Sequence, residues 1–229
     1  MTGSRGSLTA RLIARDLHHY RWLILGTAIA GAASLVLTRF GDGDGISTGP
    51  NVGFLLLLTT VIVLGVALPM LVLKEHETRS DLFVLSLPVS AAQYSFAKVA
   101  SALAAFLLPW TALTGGAAAV TALSPAPDGS LPFFVATMTF LLVNFCLLMA
   151  LTVITRSEPA AIAGILVTNF SVTVFMSRLA RLPGVAGRSK DAVATWSPEV
   201  LAVLAVELVV ILLSLALAFY VPSRRRDAL

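Results

Sequence analysis

The chain has 229 residues, of which 57% are hydrophobic and 12% charged, and its mean hydropathy is +0.90. That balance excludes an ordinary soluble domain and makes the bilayer the solvent to reason from. The formal charge of +4 would suit nucleic acid in a soluble protein, but here the basic residues flank apolar runs, where anionic headgroups attract them; membrane lipids are expected partners and nucleic acid is not.

In chain order, residues 1–21 are polar and lack a cleavable signal's short apolar core, and the first apolar run extends to Thr38, so that run is expected to be a retained first span preceded by a cytoplasmic interfacial helix at 1–21. Within Thr9 to Arg21, Leu12, Ile13 and Leu17 fall near one face, and Arg11, Arg15, Asp16 and His19 are polar. Residues 22–73 hold spans one and two, Trp22 to Thr38 and Val52 to Leu73, separated by a loop of clustered Gly, Asp and Pro. Asp42 and Asp44 in that loop are turn residues rather than metal ligands. Residues 74–98 form the most polar internal stretch, KEHETRSDLFVLSLPVSAAQYSFAK.

Residues 99–177 hold spans three, four and five, with a tight hairpin at Arg156, Ser157 and Glu158 between the last two. Residues 178–198 make a basic outer loop, free or re-entrant. Ser197, Pro198 and Glu199 supply an N-cap, a first-turn proline and a first-turn acid for span six, residues 199–221, before a cytoplasmic tail, 222–229. The expected fold is therefore an all-α membrane protein of six transmembrane helices in one domain. An even number of spans puts both termini on one side. Eleven of the 16 basic residues then fall on that side, which the positive-inside rule makes cytoplasmic, with a bacterial plasma membrane the expected location.

The lone Cys146 lies in an apolar run and is expected to pack as a small hydrophobe. The three histidines, His18, His19 and His76, make no HExxH site, and no GxxxxGK[ST] phosphate loop occurs. The expectation is a chain that is not an enzyme and binds no cofactor or metal.

Residues 74–98 carry the most specific pattern. Glu75 and Arg79 are four apart and would pair on a helix, while Leu82 and Leu85 share an apolar face with Thr78, widened by Phe83. Pro88 breaks that helix, and Ser90 with Gln93 forms a capping box that restarts one through Tyr94 and Lys98 into span three. Periodicity alone allows this helix to dock on a partner or to rest on headgroups.

The order of acidic residues, a leucine-rich turn, SLPVS, Tyr94 and Lys98 resembles the segment between spans two and three of ABC type-2 permeases. The resemblance implies that this segment is a coupling helix seated on a separate ABC ATPase subunit, which binds ATP and Mg. Glu75, Glu77, Arg79, Asp81, Leu82, Leu85, Ser86 and Leu87 would form or border the contact. Arg79 stands where the family often has Gly. The family also implies a second permease copy, identical or not, with spans one and five near the contact, and export of an amphipathic or lipid-like substrate by alternating access.

Small residues recur at Gly26, Ala30 and Ser34 in span one and at Ala160, Gly164 and Thr168 in span five. These faces allow close helix approach, either between the two spans of one chain or across a dimer interface. Glu207 is the one acid well inside a span and should face protein or water, as part of a translocation path or hydrogen-bonded to Asn144, Asn169 or a nearby hydroxyl. Pro69 and Pro109 are expected to kink spans two and three. Two readings compete with the exporter: the substrate-capturing subunit of an energy-coupling importer, which leaves the amphipathic 74–98 stretch unexplained, and an intramembrane enzyme, for which only Glu207, Asn144 and Asn169 begin to supply polar groups.

Overall fold

The computed structural model describes residues 3–39, 48–77, 91–123, 128–188, 191 and 193–226. They form six long helices: α1 (Gly3–Arg39), α2 (Thr48–Glu77), α3 (Ala91–Leu123), α4 (Leu131–Thr155), α5 (Glu158–Leu179) and α6 (Pro198–Arg226), with a 3-10 turn, Asp128–Ser130, before α4. No strand occurs among the described residues. All six helices are long and apolar enough to cross a membrane.

The expected break between an interfacial helix and span one is absent. α1 is one helix of 37 residues, because Thr9 to Arg21 contains neither Gly nor Pro and nothing stops the hydrogen-bond ladder from propagating into Trp22. At 1.5 Å per residue its length is roughly 55 Å, well beyond a hydrocarbon core about 30 Å thick, so its polar first half has length to spare outside a bilayer. α2 and α3 likewise continue through Pro69 and Pro109 as single helices. Pro69 deprives the Gly65 carbonyl of its helical donor; the Phe106 ring lies against Gly65, 3.4 Å from where a Cβ would stand.

α4 is the hub. It packs against α2, α3, α5 and α6, and 56% of its apolar window is buried, against 11% for α5. Phe106 of α3 stacks on Phe145 of α4 with centroids 4.1 Å apart, and the Trp110 indole donates to the Met138 carbonyl at 2.9 Å. α1 packs on α2 and α3. At Gly31 α1 comes close enough to α3 that a Cβ would collide with the Leu113 side chain. The outward faces are largely apolar: Trp22 and Ile29 on α1 are each 71% exposed and Phe170 on α5 is 73% exposed. Such surfaces are unfavourable in water and suited to lipid or to another protein.

The connections follow their local chemistry. Arg156 caps α4 in the left-handed region at φ 51, donating its N–H to Thr152, and extended Ser157 leads into α5 with Pro159 in its first turn, so the expected tight hairpin is present. Residues 180–188 form a run of turns rather than a helix. This loop is pinned to the 3-10 turn by Gly129, whose N–H donates to the Asp191 carbonyl at 2.9 Å, and a Cβ there would overlap the Arg188 carbonyl.

Candidate functional site

Three helices meet at a buried charge cluster. Lys98, in the second turn of α3, places its Nζ 2.9 Å from Asp16 Oδ2 of α1, and both side chains are 5% exposed. The same ammonium pairs with Glu75 in the last turn of α2, whose side chain is 29% exposed. Ser101 Oγ, one turn on from Lys98, donates to Asp16 Oδ2 at 3.3 Å, and Arg15 reaches the other Asp16 oxygen from the exposed side at 3.3 Å. The Lys98 ammonium also lies 5.8 Å from the centre of the Tyr94 ring. Two cations therefore face two carboxylates. Attraction is strong in such a low-dielectric setting, and removal of one partner leaves an uncompensated buried charge.

Helical spacing builds this cluster. Tyr94, Lys98 and Ser101 recur on one face of α3, and Asp16 and Tyr20 on one face of α1. Tyr20 is 1% exposed, and its hydroxyl has no hydrogen-bond partner among the described residues. The pairing of Glu75 with Arg79 expected from sequence cannot be followed, because Arg79, Asp81, Leu82, Leu85, Ser86 and Leu87 lie outside the described residues. Glu77 ends α2. The two flanks of residues 78–90 thus meet at Lys98, which pairs with Glu75 of α2 and with Asp16 of α1.

A second polar group joins α4 to α5. Asn144 donates to the Thr168 carbonyl at 3.4 Å and accepts from Ser171 Oγ at 3.4 Å, while Asn169 donates to the Ile165 carbonyl of its own helix at 2.8 Å. Asn144, Thr168 and Asn169 line a cavity of about 20 Å³, room for about one water. Glu207 does not join them. It belongs to the inward stripe of α6, with Val200, Ile211, Ser214 and Ala218, and is 4% exposed. Neither of its oxygens meets a hydrogen-bond partner among the described residues. The expected bond to Asn144 or Asn169 is thus not formed.

The small-residue faces fall differently from a matched pair. α1 and α5 share no packed interface within the chain, so the intrachain pairing considered from sequence is not made. Gly26 is exposed with open space around it, Ala30 is half-buried and Ser34 is buried. On α5, a Cβ at Gly164 would collide with Leu151 and Leu148 of α4, and Thr168 accepts from Asn144; both are used within the chain, and Ala160 is half-buried. The side of α5 left free carries Asn169, Thr173 and Ser177 at four-residue spacing, all exposed.

Sequence reasoning named Asp16 and Lys98 without pairing them, and passed over Ser101 and Gly31. The signal for Asp16 was available: it stands between Ile13 and Tyr20 at helical spacing, an acid in an otherwise apolar stripe. Comparison with protein-family models, with curated proteins and with solved structures finds no match.

Proposed function

We propose that the chain is the membrane-spanning permease of an ATP-driven exporter. Hydrolysis occurs on a separate ATPase, and the substrate is an amphipathic or lipid-like molecule. The observation that carries this reading is the Asp16–Lys98–Glu75 cluster. It ties the two flanks of residues 78–90 to α1 through charged contacts, so a push on that segment would be passed to three helices together rather than absorbed by a loose loop. A mechanical coupling element needs such stiffness at its base. The amphipathic pattern of Leu82 and Leu85 beside acidic residues supplies a docking face for the ATPase.

The exposed Asn169, Thr173 and Ser177 support a second copy of the permease. Polar side chains within a membrane span are placed against protein or a water-filled path in preference to lipid. Two copies meeting around this face of α5 would give them that setting and would enclose a path between the protomers. The outward face of α1 and the Asn169, Thr173 and Ser177 face of α5 are free for such a contact, whereas Gly164 and Thr168 are not.

Co-expression of the chain with a candidate ABC ATPase from the same genome tests the reading. A stable complex is expected, with ATPase binding lost on Leu82→Asp or Leu85→Asp while the chain remains folded. Recovery of the permease alone, with the ATPase demonstrably expressed and folded, overturns it.

A further inference from the structure

A flank of α5 roughly a third of a turn from the Asn169, Thr173 and Ser177 face carries an open cleft against α4. Its volume is about 710 Å³, and it is lined chiefly by Phe140, Leu166, Phe170, Val174 and Phe175, with Arg178 at one end. Phe140 and Phe175 stack face to face with centroids 3.9 Å apart and form a flat apolar floor. Leu166 to Arg178 is three turns of helix and a little more, roughly 18 Å at 1.5 Å per residue. That is about one leaflet of a hydrocarbon core ~30 Å thick.

Arg178 occupies the last turn of α5. There a cation complements the helix carbonyls, and the end of an apolar helix falls at headgroup depth. Its side chain is exposed, and it forms no ion pair with a described residue. Arg181 follows three residues later and Arg188 further on, whereas the one acid of α5, Glu158, lies at its opposite end. The cleft thus combines an open apolar groove about one leaflet long with a guanidinium at its mouth that has no ion-pair partner among the described residues, and a guanidinium matches phosphate oxygens in bidentate geometry.

We propose that this cleft is a binding site for a negatively charged phospholipid, with one acyl chain along the Phe140–Phe175 floor and the phosphate on Arg178. The site accounts for basic residues on the side that the positive-inside rule leaves poor in them: here the charge binds headgroups. It requires neither an ATPase nor a second permease, so it stands or falls apart from the exporter reading.

The test is native mass spectrometry of the full chain released from nanodiscs containing equal amounts of phosphatidylglycerol and phosphatidylcholine with identical acyl chains. The wild type is expected to retain phosphatidylglycerol about tenfold over phosphatidylcholine, the scale of one charge-assisted contact. Arg178→Gln should abolish the preference, Arg178→Lys should keep part of it, and Arg188→Gln should leave it intact. Phe170→Ala should reduce retention of both lipids equally. An undiminished preference in Arg178→Gln overturns the proposal. So does displacement of the lipid by equimolar inorganic phosphate, which would mark a headgroup-only anion site. Efficient disulfide cross-linking of Phe170→Cys chains in a Cys146→Ser background also overturns it, because a second copy would then cover the cleft.

Discussion

Replacing Lys98 by Met removes the cation from between Asp16 and Glu75 while keeping most of the side chain's length. Glu75 is 29% exposed and can turn to solvent, but Asp16, 5% exposed, cannot. It keeps Ser101 as a donor at 3.3 Å and Arg15 at 3.3 Å on its outer oxygen, the latter 59% exposed and correspondingly screened. The expected loss is that of a buried pair broken from one side, about 3 to 5 kcal/mol. Glu75→Gln should cost only ~1 kcal/mol, since its partner retains Asp16 and its own charge is already partly solvated. The double variant Asp16→Leu/Lys98→Met, which leaves no orphaned charge at that pair, should recover at least half of the single variant's loss. Reversible unfolding by SDS titration in mixed micelles, followed by circular dichroism, measures all three. The reasoning is refuted if Lys98→Met proves no more harmful than Glu75→Gln, or if the double variant is as unstable as Lys98→Met alone.

Gly31→Ala should destabilise the fold by about 1 to 3 kcal/mol, because its Cβ would displace the Leu113 side chain; the same titration applied to Gly26→Ala, where the surroundings are open, should show a change within about 0.5 kcal/mol. Glu207→Leu should be at least as stable as the wild type, since it removes a buried acid with no hydrogen-bond partner among the described residues whose burial is expensive; a loss above ~1 kcal/mol would reveal a partner or a water that the acid holds. Transport by Glu207→Gln then separates an inert buried acid from one on the substrate path, full activity removing any need for its charge. Val185→Cys in a Cys146→Ser background should react with a membrane-impermeant maleimide added outside intact cells, and reaction only from the cytoplasmic side would invert the topology.

Glu207 shows where sequence and structure part. Its depth within an apolar run is visible from composition, but the face it takes depends on which side of α6 meets α4 and α3, and no single helix encodes that. Asp16 makes the same point in reverse. Its helical phase among Ile13, Leu17 and Tyr20 was readable, yet its significance required Lys98, 82 positions away along the chain, to arrive at the same place. The small residues were legible as close-packing surfaces but not as to partner. Gly164 meets α4, Gly31 rather than Gly26 meets α3, and a GxxxG-like spacing carries no address.

The sequence by itself determined the six apolar helices, their order, the α4–α5 hairpin and the polar character of the stretch before Pro88. Each of these follows from the length of an apolar run or from a residue's own backbone preference. Tertiary structure alone decided that α4 is the hub, that Lys98 is held by Asp16 and Glu75, and that Arg178 ends a cleft. These depend on helix rotation and on contacts between segments far apart in sequence, where hydropathy along the chain records how much is apolar but not what it faces.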